Sequence, residues 1–428
     1  VAKRREKIDI LERRDIEIMA PVGSYESLRA AIQAGAGSVY FGVGKLNMRA
    51  RSSNNFTLTD LRTIVSIASE NNVKSYLTVN TVIFDNEIDK LEETITVAKE
   101  SGVTAIIASD LAAIQFARKI GMEVHISTQL NITNIESLRF FSQFADVVVL
   151  AREMNIGRIW EINRQIREQE IKGPGGKLVQ TEIFIHGALC MAVSGKCYLS
   201  LHESNSSANR GSCMQICRRG YTVTEKEKSY ELDIDNEYIM SPKDLKTIHF
   251  LNKILDSGVT VLKIEGRARA PEYVKTVVEC YHEAVDAYFD NNFTDERVAD
   301  WDKRLASVFN RGFWNGYYLG QRLGEWSHNY GSAATTRKVY IGKNLNYFSN
   351  IGIAEFKIET RELKKGDRIL IIGPTSGVIE TTVEEIRIDL EPVDVAPKGS
   401  RCSIPVKAKV RRADKLYISV DPAEIKKQ

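Results

Sequence analysis

The chain has 428 residues, of which 43% are hydrophobic and 27% charged, and a net charge of +3. That balance suits a globular protein with one large domain and a smaller one. It excludes a disordered chain, and no apolar run approaches the roughly 18 residues needed to cross a bilayer. The opening VAKRREKIDILERRD lacks the apolar centre of a signal peptide, so a cytoplasmic protein without a membrane partner is expected. Basic residues are locally dense at Lys3 to Arg5, Arg210, Arg218, Arg219, Arg267, Arg269, Arg411 and Arg412. Solvated surface charge is the ordinary explanation of such clusters.

From Ile16 to about Asp290 one theme recurs, a short apolar β-rich run followed by a loop and an amphipathic helical pattern. The runs are IEIMA (16–20), SVYFG (38–42), KSYLTVN (74–80), AIIAS (105–109), EVHIS (123–127), VVVLA (147–151), EIFIH (182–186) and VTVLKIEG (259–266). Ser24 is placed to cap the first helix and Gly35 to end it; Thr59 opens a second helix, and a third runs from about Asn86 to Gly102. Further helices are expected near Asp110, Thr133, Asn155 and Ser241, and the last begins with Pro271 in its first turn. Eight such units predict a closed (β/α)8 barrel of the TIM type. A doubly wound open sheet is the alternative, weakened because no GxGxxG follows the first strand.

A barrel places its chemistry on the loops after the strands. On strand five His125 and Ser127 share a face, with Gln129 just beyond; on strand eight Lys263 and Glu265 share a face opposite Leu262 and Ile264. Asn80, Arg152, Glu153, Arg267 and Arg269 follow other strands and complete a ring around the expected mouth. A salt bridge tying loops together is the bland alternative for each.

The longest insertion, residues 187–220 after strand seven, carries four of the six cysteines. Cys190, Cys197, Cys213 and Cys217 are separated by six, fifteen and three residues. Buried free thiols fit poorly with the surrounding glycines, serines and asparagines, and disulfides fit poorly with a reducing cytosol. Structural zinc usually takes knuckles of two-residue spacing, which are absent, although His186 and His202 are available to complete such a site. An iron-sulfur cluster accepts irregular spacings in wrapping loops. Cys280 and Cys402 sit in helical and strand patterns and read as packing residues.

Residues 1–15 are expected as an N-terminal extension, 16–290 as the catalytic barrel, 291–336 as an aromatic, glycine-containing linking region, and 337–428 as a small β-barrel domain of short alternating strands.

The run Glu182-x-Phe184-x-x-Gly187-Ala188-Leu189-Cys190, four residues, then Gly195-x-Cys197-x-Leu199-Ser200 resembles the signature of the collagenase-like peptidase family of unclassified catalytic type. MAPVGSYESLRAAIQAGAGSVYFG, HISTQLNITN, VVLARE, NRGSCMQICRR, MSPKDL, LKIEGR and FNRGFWNGYYLG extend the resemblance along the chain. It is closest to the family's prephenate-dependent tRNA uridine 5-hydroxylase branch. The resemblance implies an oxygen-independent hydroxylase of the tRNA wobble uridine, with a 4Fe-4S cluster on the four cysteines and prephenate, a small carboxylate, as co-substrate. In that frame Arg152, Arg210, Arg218, Arg267 and Arg269 bind carboxylates or phosphates, and His125, Glu265 and Lys263 are candidates for proton transfer. A homo- or hetero-oligomer stays open, and zinc stays the alternative metal. A peptidase, as the family name suggests, and a metal-stapled RNA-binding module without catalysis are the competing functions. No GxSxG elbow or HExxH helix accompanies the peptidase label.

Overall fold

The computed structural model describes residues 11–51, 55–222, 238–321, 324–328 and 331–425. The basic run Lys3 to Arg5 and most of the expected N-terminal extension lie outside the described residues.

The eight apolar runs form the eight strands of a closed parallel barrel: β1 (Glu17–Pro21), β2 (Ser38–Gly42), β3 (Lys74–Val79), β4 (Ala105–Ala108), β5 (Glu123–Ile126), β6 (Val147–Val149), β7 (Gln180–Gly187) and, past the short β8 (Asp244–Lys246), β9 (Val261–Ile264). Each strand pairs with the next, and β9 pairs in parallel with both β7 and β1, which closes the ring. Strands β1 to β4 and β9 are almost wholly buried, because a barrel strand meets helices outside and side chains inside.

The intervening helices are α1 (Tyr25–Gln33), α2 (Leu61–Ser69), α3 (Ile88–Glu100), α4 (Leu111–Lys119), α5 (Ile135–Ser142), α6 (Ile156–Glu168), α7 (Leu199–Ser204), α8 (Leu251–Asp256), α9 (Pro271–Phe289) and α10 (Asp295–Ser307). Ser24, Asp110, Asn134 and Asn155 cap α1, α4, α5 and α6 by accepting backbone N–H groups. Two expectations need correcting. The second helix is opened by Thr57, whose backbone N–H and hydroxyl both bind Asp60, and Thr59 lies inside the 3-10 turn that follows. No helix begins at Ser241; residues 244–246 instead add β8 antiparallel to the end of β7, and β10 (Phe313–Trp314) pairs beside it. The long end of β7 leaves backbone groups beyond the barrel rim, and this pairing satisfies them.

The remaining strands are β11 (Arg337–Phe348), β12 (Ile353–Ile358), β13 (Leu363–Lys364), β14 (Arg368–Gly373), β15 (Gly377–Thr382), β16 (Ile386–Ile388), β17 (Glu391–Val393), β18 (Val395–Ala396), β19 (Arg401–Pro405) and β20 (Lys415–Val420). Eight of them form an antiparallel sheet in the order β15-β14-β20-β11-β12-β19-β16-β17, with β13 and β18 paired beside it. The sheet wraps a core that includes Ile341, Phe356, Ile371, Cys402 and Leu416. Its Leu370, Ile372 and Val378 pack on Ala30 of α1, and Lys338 binds Glu272 of α9 at 2.7 Å. Among the described residues no helix is long and apolar enough to cross a membrane.

Candidate active site

The barrel interior is built in two storeys. In the lower one, Glu17 accepts from Lys74 at 2.7 Å and from the Tyr76 hydroxyl at 2.8 Å. His125 Nε2 lies 3.1 Å from Glu123, and its ring packs on Tyr76 with centroids 4.5 Å apart. Above them Lys263 donates to Glu182 at 2.7 Å; the two side chains are 5% and 0% exposed, and the ammonium sits over the Tyr40 ring. A buried pair of this kind is held by mutual attraction against a desolvation cost, so loss of one partner is far worse than loss of both.

The upper storey opens into a cavity of about 240 Å³ at the carboxyl ends of the strands. Its lining includes Tyr40, Arg49, Thr78, Asn80, Ser127, Gln129, Arg152, Phe184, Lys263, Glu265, Arg267, Arg269 and Arg311, together with Arg218 and all four cysteines of the insertion. Glu265 binds Arg49 at 2.6 Å. Burial alone would raise the Glu265 carboxyl, but the charges of Arg49, Arg152 and Arg267 outweigh it and hold the group at about 2. Arg267 is buried and donates to Asn47 at 3.1 Å and Thr78 at 2.8 Å. Burial brings it down to about 10, still charged at neutral pH. The Arg152 guanidinium sits over the Phe184 ring, 3.8 Å from its centre, and donates to the Ala188 carbonyl at 3.1 Å. The Nε atoms of Arg152 and Arg267 are buried without a protein partner. Arg269 stacks on Phe309 at 3.6 Å, and Asp244 lies between it and Arg311 at 3.8 and 3.4 Å. Cations outnumber carboxylates here, so the cavity is chemically disposed to anions.

The cysteine loop is tied across the mouth by hydrogen bonds to neighbouring strand-end loops. Asn131 donates to the Ser194 carbonyl at 3.0 Å, Val82 N–H to the Asn209 carbonyl at 3.1 Å, and Arg51 N–H to Gly211 at 3.0 Å. Gly211 has φ +78°, and a Cβ there would collide with the Asn47 carbonyl and Ala50, so the close approach of the two loops requires glycine. Arg218 pins the base of the loop by donating to the carbonyls of Leu189, at 2.6 Å, and Pro242.

All four insertion cysteines are free thiols, Cys190 exposed and the other three half-buried. Burial raises Cys197, and it pushes Cys217 up to about 11, with Arg218 opposing and the neighbouring thiols adding to the rise. Among the described residues no three His, Cys, Asp or Glu side chains are gathered as for a single metal ion. All four thiols do line one cavity, and four cysteine sulfurs are the donor set that an iron-sulfur cluster, with one cysteine to each iron, would require.

Several expected site residues converge on this cavity: Lys263, Glu265, Arg152, Arg218, Arg267 and Arg269, with Asn80, Ser127 and Gln129. Two do not. His125 faces the barrel interior but lies in the lower storey. Arg210 sits outside the lining, where it pairs with both oxygens of Glu87 at 2.8 and 2.7 Å and stacks on Phe84. His186 is buried, 3.4 Å from the Tyr281 hydroxyl, and burial with the charges of Lys246 and Arg269 lowers it to about 3. Among the described residues no histidine lines the cavity. Arg49, Tyr40, Asn47 and Arg311 were not anticipated; Arg49 follows β2 much as Arg152 follows β6, and position after a strand was the available signal.

Residues 23–328 match the profile of peptidase family U32. A protein of Porphyromonas gingivalis named collagenase is 64% identical over 403 residues, covering 94% of this chain and 97% of that one. The tRNA hydroxylation protein P1 of Bacillus subtilis is 31% identical, covering 86% of each chain. A 23S rRNA 5-hydroxycytidine synthase of Escherichia coli is 34% identical over 279 residues, covering 64% of this chain and 40% of that one.

Proposed function

The chain belongs to peptidase family U32, and from that premise we propose that it is an RNA hydroxylase acting on C5 of the wobble uridine of tRNA, with a 4Fe-4S cluster on Cys190, Cys197, Cys213 and Cys217 and prephenate or a related carboxylate as co-substrate. The observation that carries this reading is the meeting, in one cavity, of four cysteines free of disulfides and a surplus of arginines. The relatives named for tRNA and rRNA hydroxylation support the RNA class of substrate.

Bound there, the cluster would supply one-electron or Lewis-acid chemistry toward an oxygen donor. The chain's own residues do the rest. Arg267 and Arg152 each keep a buried Nε–H without a protein acceptor, which suits them to a carboxylate held in a bidentate grip. Replacing the C5 hydrogen by a hydroxyl group is a two-electron oxidation, so an oxygen donor would have to deliver oxygen at the hydroxyl-cation level and leave with the electron pair of its broken bond, while the C5 hydrogen departs as a proton. Glu265, which lines the cavity, is our candidate to accept it, and a carboxylate held at about 2 passes the proton on without keeping it; Lys263 beneath it balances Glu182. His125 is too deep to serve. A uridine in an anticodon loop is already unpaired, so presenting its edge to the mouth costs little unstacking.

The relatives named collagenase are the more similar ones, yet a thiol protease needs a base beside its nucleophile. Among the described residues no hydrogen bond joins a histidine to any of the four cysteines, and His186 is engaged with Tyr281. Nucleoside mass analysis of tRNA from cells lacking the gene tests the proposal. Loss of wobble 5-oxyuridines, restored by the wild-type gene, supports it. Normal levels in the absence of a paralogue, or gelatin cleavage by metal-free protein that is abolished in Cys190→Ala, would overturn it.

A further inference from the structure

Four cations stand in one row across four adjacent strands of the C-terminal sheet. The register places Lys415 of β20 opposite Lys343 of β11, Lys343 opposite Lys357 of β12, and Lys357 opposite Arg401 of β19. All four are exposed, whereas their chain neighbours Asn344, Phe356, Cys402 and Leu416 are buried, so the four side chains share the outer face. With strands about 4.8 Å apart the row spans roughly 14 Å.

Lys343 pairs with Glu359 at 3.1 Å, and Glu359 and Glu355 share the outer face of the strand with Lys357, whose charge also acts on Glu359; among the described residues Lys357, Arg401 and Lys415 form no ion pair. Like charges directly opposite one another destabilise a sheet. Lysines often guard exposed sheet edges, but each of these strands is hydrogen-bonded on both sides, so edge protection does not account for the row. On the same sheet Leu370, Ile372 and Val378 are covered by α1, and the cationic portion is left open.

The position of the row narrows its partner. Lys338 meets Glu272 in the first turn of α9, beside the mouth, while Gln33 in the last turn of α1 holds the Ser376 carbonyl and the Val378 N–H. Lys415 is the register partner of Ile372, near that second end. The row therefore lies on the flank of the molecule, away from the rim by about 17 Å along β11.

We propose that this row binds the phosphate backbone of the RNA arm that flanks the loop entering the barrel mouth. The proposal rests on the RNA-hydroxylase reading for its partner. Contacts to phosphate are independent of base sequence and sensitive to salt, and a flank this far from the cavity reaches a stem, not the loop itself.

The test compares the wild-type full chain with the variant Lys343→Gln/Lys357→Gln/Arg401→Gln/Lys415→Gln, titrated with full-length tRNA and with a short single-stranded anticodon-loop oligonucleotide across a range of KCl. Removing like charges leaves the core untouched, and a melting temperature at or above the wild-type value confirms the fold. The expected result is full-length tRNA bound on the order of tenfold more weakly, with a log–log salt slope smaller by about 2 to 3, and the loop oligonucleotide bound as before. Unchanged tRNA affinity and slope in the variant would overturn the row's role and leave the hydroxylase reading intact. Failure of the wild type to bind either RNA would remove both, and binding of the row to phosphatidylserine vesicles without any effect on tRNA would assign it to a membrane instead.

Discussion

The two storeys of the barrel are made from the same strands, yet they treat charge in opposite ways. In the lower one charges meet a counter-charge: Glu17 with Lys74 and, at the floor of the cavity itself, Glu182 with Lys263. In the upper one Arg49, Arg152, Arg218, Arg267, Arg269 and Arg311 share a cavity with far fewer carboxylates, and two guanidinium nitrogens are buried without acceptors. Buried polar atoms without a partner occur in both, Glu182 Oε2 and His125 Nδ1 below as well as the two guanidinium nitrogens above, so it is the surplus of cations at the mouth, against ion pairs beneath, that separates a layer that holds the fold from a layer suited to an anion.

That contrast can be broken from either side. The largest expected effect is at the top: each of Cys190→Ala, Cys197→Ala, Cys213→Ala and Cys217→Ala abolishes tRNA hydroxylation while thermal melting of the metal-free protein stays near the wild-type value. Full activity in any one of them would remove that thiol from the site. Next, Lys263→Met leaves Glu182 alone in the interior and should lower stability by about 3–5 kcal/mol in denaturant unfolding, with much of it recovered in Lys263→Met/Glu182→Leu. If the double variant is no more stable than the single one, the lower storey is not held as a pair. Arg267→Lys keeps the charge but loses the planar fork. Carboxylate binding measured by calorimetry should weaken by about 1.5–3 kcal/mol, and undiminished binding would place the carboxylate elsewhere.

At neutral pH the smallest effect is that of a histidine, which shows itself only on acidification. His186 is lowered to about 3 in the fold from an ordinary value near 6.5. The unfolded chain therefore binds the extra proton first, and stability is lost as pH falls through that window. Glu265, lowered to about 2, adds to the loss below the ordinary carboxylate range. In His186→Gln the stability curve between pH 6.5 and pH 3 should be flatter; an identical slope would mean the histidine is not held neutral.

Much of this was legible in the sequence. All eight barrel strands could be read because each is a short apolar run between turn signals, and burial on both faces demands that pattern. The cysteine insertion was legible from its spacing and its place after β7. Depth was not. Alternation correctly set His125 and Ser127 on one face, but period two says nothing of height along a barrel, and two residues separate the lower storey from the cavity wall. Arg210 falls outside the cavity lining for another reason: its partner Glu87 lies 123 residues away, and no local pattern announces a long-range ion pair. Thr57 and Thr59 were confused because both hydroxyls precede the helix and only Thr57 stands three residues before Asp60.

The central claim is that the upper storey holds a redox cluster, and metal analysis under strict exclusion of oxygen tests it most directly. Iron and acid-labile sulfide would be measured on wild-type protein and on the variant with Cys190, Cys197, Cys213 and Cys217 all changed to alanine. The account predicts about four irons and four sulfides per wild-type chain and none in the variant. Stoichiometric zinc in the wild type, or iron retained by the variant, would contradict it.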